Sequence, residues 1–135
     1  MGSIGLWLDD GREETADILA AAGLVPADAA VGAALPEDCL GLVADQAILA
    51  AQAGVVAQAK ERRGAALFPV LAVLPAAAED AAVAEALSLA DEVILRPLRP
   101  SELTRRLARL LAAREACLAL GGLAADSGFK DVGVG

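Results

Sequence analysis

The chain has 135 residues, 57% of them hydrophobic and 22% charged, which is enough apolar material for one buried core and argues against disorder. Its net charge is −8 and it has no His, which speaks against a nucleic-acid surface, because neutralising phosphates takes clustered Lys and Arg. No apolar run is long enough to span a bilayer without Pro, Gly or charge, and the N-terminus lacks the layout of a signal peptide. Two cysteines, Cys39 and Cys117, stand far apart among apolar neighbours without metal-ligand spacing. They are expected to be reduced thiols in a cytoplasmic chain.

Ile4 to Leu8 is a short apolar run stopping at Asp9-Asp10, and it predicts a buried strand. Gly11 to Ala22 carries Ile18, Leu19 and Ala22 at helical spacing; Asp10 and Glu13 have the spacing of a capping box, and Gly23 suits the helix end. Leu24-Val25 can begin a second, weak strand. Pro26 to Asp38 is poorly patterned and allows at most a short helix.

Cys39 to Ala44 predicts a further buried strand, ending at Asp45, and Ala47 to Arg62 an Ala-rich helix with Gly54 as its weak point. Phe68 to Leu74 predicts the next strand, with Pro69 tolerated only near its start. A helix follows over 79–89, then a short strand over 92–95 closed by Arg96-Pro97. Ser101 is the expected N-cap of a last helix whose stripe is Leu103, Leu107, Leu110 and Leu111. That helix is expected to run past Arg114, and the Gly-rich stretch 121–135 to be a tail or linker.

Alternating apolar strands and helices predict an α/β fold with a parallel sheet covered on both faces. In such folds a site lies beyond the carboxyl ends of the strands. Asp9, Asp10, Asp45, Leu74 and Arg96 all fall at such ends. Three carboxylates gathered there repel, each pair by roughly 4 kcal/mol at about 4 Å and an effective dielectric near 20. They coexist only with a cation between them or with one protonated. Mg²⁺ suits such a site, since it takes a few carboxylates and keeps several waters. The blander roles are caps for Asp10 and Asp45, and an ion pair for Arg96.

In order and spacing this set resembles the receiver domain of bacterial response regulators, the CheY-like superfamily. Leu6-Trp7-Leu8-Asp9-Asp10 resembles its first strand and acidic pair. Leu42-Val43-Ala44-Asp45 resembles its third strand and phosphoacceptor. Pro69 to Leu107 resembles its fourth strand through last helix, and Arg96-Pro97 stands where the family has Lys-Pro. The resemblance covers roughly residues 4 to 113. It implies a doubly wound, flavodoxin-like sheet of five parallel strands, a Mg²⁺ site made by Asp9, Asp10 and Asp45, and Asp45 as acceptor in a phosphorelay. The short segment between Gly23 and Cys39 implies a second helix shortened or missing.

The departures fall on the switch. Leu74 replaces a Ser or Thr and cannot donate a hydrogen bond. Val93 stands where an aromatic is usual, and Arg96 brings a planar fork in place of a compact ammonium. Gln46 to Ala51 lacks the Pro and Gly that shape the family's loop after the acceptor. The expected function is therefore that of a pseudo-receiver: a two-component signalling module, not an enzyme, acting by protein–protein interaction or dimerisation with phosphorylation absent or uncoupled. The alternative is a phosphorylatable receiver with Asp45 as acceptor. A small-molecule-binding α/β domain unrelated to receivers is disfavoured, since no Gly-rich phosphate loop follows the first strand and Asp9-Asp10-Gly11-Arg12 would repel a phosphate. Protein partners are expected at the face holding Glu85, Asp91, Glu92, Arg99, Arg105, Arg106 and Arg109, either a second copy in a homodimer or a further domain of the same chain; no nucleic acid or membrane partner is expected. The receiver-like domain is placed at 1–113. Residues 114–135 are read as a helix extension and a Gly-rich tail, the start of a further domain.

Overall fold

A computed structural model describes residues 2–27, 30–64 and 67–126, with side chains described as far as residue 120. In chain order the elements are β1 (Ser3–Trp7), α1 (Arg12–Ala21), β2 (Val25–Pro26), β3 (Cys39–Asp45), α2 (Gln46–Ala51), α3 (Ala53–Arg63), β4 (Val70–Leu74), α4 (Asp80–Leu87), β5 (Glu92–Leu95) and α5 (Pro100–Asp126). The strands form one sheet in the order β2-β1-β3-β4-β5, and every neighbouring pair is parallel. This is the flavodoxin-like order of a doubly wound α/β fold.

The strands are continuous apolar runs because both faces of the sheet are covered. β1 and β4 are buried at every position. Successive side chains go to opposite layers. Ile4, Leu6, Val43, Leu71, Val73 and Ile94 pack with Leu19 of α1 and with Leu103 and Leu107 of α5. Trp7, Leu42, Val70, Ala72 and Leu74 pack on the other face with Leu49, Val56, Ala59 and Ala86 of α2, α3 and α4. Gly41 is required by close approach: a Cβ there would lie 2.8 Å from the Pro69 carbonyl oxygen, beside the Leu42 N–H that donates to that oxygen.

Among the described residues no helix connects β2 to β3, in agreement with the expected loss. An irregular segment covers the sheet instead, and buries Ala27 and Leu35 against Trp7 and Cys39. Arg63 at the end of α3 holds it down. Its Nη2 donates to the carbonyls of Leu35 (3.3 Å) and Pro36 (2.7 Å), and its guanidinium lies 5.1 Å from the centre of the Phe68 ring.

Several local expectations change. Asp10 does not cap α1; Gly11 takes the N-cap position in a left-handed conformation, and the Thr15 hydroxyl donates back to the Gly11 carbonyl at 2.7 Å. The single helix expected over 47–62 is two helices, broken at Gln52 rather than at Gly54. Ser101 is not a cap either, since α5 already begins at Pro100, a residue preorganised for the first helical position. α5 also continues to Asp126, so 121–126 is helix rather than tail, while 127–135 lie outside the described residues. Among the described residues no helix is long and apolar enough to cross a membrane.

Cys39 is buried, and its thiol donates to the Gly41 carbonyl at 3.1 Å. Burial pushes its pKa up from 9.0. Below pH 9.0 the thiol is neutral in both states, whereas above it the unfolded chain releases the proton first. Stability is therefore expected to fall as pH rises from 9.0 through the raised native value, and Cys39→Ala is expected to flatten that decline. Urea unfolding at pH 8 and pH 10 checks this; an equal decline in both proteins would contradict it.

Candidate functional site

The carboxyl ends of β1, β3, β4 and β5 lie side by side, so residues far apart in sequence meet there. Trp7 pairs with Ala44, Asp45 with Val73, and Leu74 with Leu95 in the strand register. Asp45 is the last residue of β3 and the N-cap position of α2, yet its side chain makes no capping bond. Its carboxylate turns across the sheet. Oδ2 accepts the Asp9 backbone N–H at 2.7 Å, and Oδ1 accepts Nη2 of Arg96 at 3.0 Å.

Arg96 follows β5 and is anchored by its own backbone, whose N–H donates to the Leu74 carbonyl at 2.9 Å. From there the guanidinium reaches over the sheet, and Nη2 also donates to the Asp10 carbonyl at 3.1 Å. The side chains of Arg96 and Asp45 keep 27% and 15% of their accessible surface. A charge-assisted bond at such a half-buried position contributes on the order of 1–2 kcal/mol. Asp9 and Asp10 are exposed, and both reach Asp45 or Arg96 through backbone atoms. Beside the pair opens a cavity of about 600 Å³, lined by Asp10, Gly11, Glu14, Thr15, Arg96 and Pro97 among others.

The residues singled out at the ends of the strands therefore do come together, although not as three joined carboxylates. Among the described residues, no group of three or more His, Cys, Asp or Glu side chains is placed to hold a metal ion. Mg²⁺ asks for near-octahedral oxygen ligands. Here a cation already faces one Asp45 oxygen, and among the described residues no further carboxylates group with it, so the arrangement does not fit the ion. Leu74 is 1% exposed and ends β4 with an apolar side chain. Val93 is half-buried against the α2–α4 layer.

The charged face expected over α4, β5 and α5 is partly used within the molecule. Arg106 bridges Glu92 at 3.1 Å and Glu102 at 3.2 Å. Asp91 pairs with Lys60 at 2.9 Å and accepts the Val70 N–H at 2.8 Å. Glu85, Arg99, Arg105 and Arg109 are exposed. The Asp9 amide on Asp45 and the Asp91–Val70 bond were not foreseen from the sequence, because neither a backbone donor nor a cross-strand partner leaves a mark in residue spacing. The contact of Arg96 with the pocket was legible as an ion pair with a carboxylate.

No protein-family model matches the sequence, and no curated protein does. Solved structures match well. NtrX from Brucella abortus in complex with ADP aligns with a TM-score of 0.72 at 17% identity, over 95% of this chain and 30% of that one. A response regulator receiver domain protein (CheY-like) from Methanospirillum hungatei JF-1 aligns at 0.62 with 18% identity, over 86% of this chain and 98% of that one. A pilus assembly protein (cpaE) from Burkholderia thailandensis E264 aligns at 0.62 with 18% identity, over 83% and 99%. The chain thus spans about 30% of the length of NtrX and nearly the whole of the smaller structures. It has the receiver fold that its sequence resembles.

Proposed function

We propose that this chain is a degenerate receiver domain of a bacterial signalling protein, working in the cytoplasm through protein contacts, with phosphorylation absent or uncoupled. The observation that carries the reading is the state of Asp45. It ends β3, where the resemblance puts the acceptor, and both its carboxylate oxygens are bonded within the chain, to the Asp9 N–H and to Arg96. Each oxygen keeps a lone pair, but a phosphoryl group arriving there would need a hydrogen-bond donor to receive it, and Leu74 supplies none.

Such a module is a signalling part rather than an enzyme. Its partners are a second copy or a further domain of the same chain. The exposed Glu85, Arg99, Arg105 and Arg109 offer complementary charges for either. α5 supports the second case: its 27 residues span about 40 Å. Arg114 still reaches the Leu67 carbonyl at 3.1 Å, and the helix then goes on past it with Leu118 and Leu120 exposed. Residues 1–113 are accordingly the receiver-like domain, and 114–135 an extension towards another.

Treatment with acetyl phosphate and Mg²⁺ is the direct test. Intact mass is expected to show no added phosphoryl group, and light scattering no change in solution mass. Stoichiometric labelling that Asp45→Asn abolishes, accompanied by a change in oligomeric state, would establish the working receiver instead.

A further inference from the structure

We propose that the Arg96 guanidinium is the resident cation of this site, holding the place at Asp45 that a divalent metal would need and so closing the end of the sheet to metal. The inference rests on the degenerate-receiver reading and says what made the pocket degenerate.

The geometry puts the Arg96 guanidinium between one carboxylate and a backbone carbonyl. Nη2 lies 3.0 Å from Asp45 Oδ1 and 3.1 Å from the Asp10 carbonyl oxygen. Nη1 is the nearest atom to the point where a Cβ on Gly11 would sit, at 3.7 Å, with Glu14 Oε1 next at 3.8 Å. The guanidinium therefore lies over Gly11 with acidic and carbonyl oxygens around it. These are the kinds of oxygen that hold a hard cation.

The replacement is tethered at short range, since the Arg96 backbone N–H donates to the Leu74 carbonyl at the end of the neighbouring strand. A metal ion approaching Asp45 would have to displace a tethered cation and would be repelled by it on the way. Arg96 thus does the electrostatic work of a metal without offering the open coordination positions that a metal gives to an incoming ligand.

The test is titration of the folded chain with Mn²⁺, followed by calorimetry and by paramagnetic broadening of the Asp9 and Asp45 amide signals. The wild type is expected to show no saturable binding up to about 10 mM, about tenfold beyond the weak end of protein divalent sites. Arg96→Ala is expected to bind Mn²⁺ at least about tenfold more tightly, in the millimolar range, and Arg96→Ala with Asp45→Asn to lose that gain. Arg96→Gln, which keeps the stem and removes the charge, gives the same comparison if the Ala variant does not fold. Saturable binding at Asp45 in the wild type would overturn the proposal whatever the variants do. So would a folded Arg96 variant that gains nothing. Phosphoryl uptake coupled to a mass change would sink the parent reading without supplying either of these results.

Discussion

Replacing Phe68 with Ala is expected to remove about 3–5 kcal/mol of stability, the range for deleting a large buried aromatic. The side chain is fully buried where the chain enters β4, in the same cluster as Trp7, Val70 and Val56. Its ring also supports the Arg63 guanidinium at 5.1 Å, and Arg63 holds the Leu35 and Pro36 carbonyls. Loss of the ring opens a cavity and loosens the clamp on the segment between β2 and β3. A domain of this size has only about 5–15 kcal/mol in all, so Phe68→Ala should sit near its folding limit. Phe68→Leu keeps much of the volume and should lose about 1–2 kcal/mol. Urea unfolding followed by Trp7 fluorescence reads both. Equal losses for Ala and Leu would show that the ring fills no space that matters.

Asp91→Ala is expected to lose about 2–3 kcal/mol, although Asp91 itself is exposed. Its carboxylate accepts the N–H of Val70, a residue with no exposed surface, and its own backbone N–H donates to the Val70 carbonyl, each at 2.8 Å. Removing the carboxylate leaves a buried donor unsatisfied at the start of β4. It also takes the carboxylate from Lys60, which still bonds the Phe68 carbonyl at 2.9 Å. Asp91→Asn keeps an acceptor for Val70 and should lose only about 1 kcal/mol. Hydrogen exchange at the Val70 amide separates the two effects, with fast exchange expected in Ala and slow exchange in Asn. Slow exchange in both would show that the amide has another acceptor.

Much of this was legible in the residues, for reasons that can be stated. The inner strands are near-continuous apolar runs because the sheet is covered on both sides, and such runs are recognisable without partners. That no helix joins β2 to β3 among the described residues was legible as a second helix shortened or missing: a dozen weakly patterned residues after Pro26 offer no stripe to bury. Helix ends were read less well. Asp10 and Ser101 are good capping residues, but Gly11 in its left-handed conformation and Pro100 at the first helical position took those ends first. The break at Gln52 leaves no signal in an Ala-rich stretch, where nearly every residue favours helix.

The sequence by itself determined which residues stand at the ends of the strands: two acids after β1, one at the end of β3, Leu at the end of β4 and Arg after β5. It did so because each strand announces its own end, where an apolar run meets a charge or a proline. Only the tertiary structure decided what those residues do to one another. Asp45 and Arg96 are 51 positions apart and Asp9 and Asp45 are 36 apart, so no local pattern records that they touch. Whether three carboxylates gather around a metal or one of them closes on an arginine depends on where each side chain turns once the parallel strands are in register. In this chain Asp45 turns to the Asp9 amide and to Arg96, and Asp9 and Asp10 are left facing solvent.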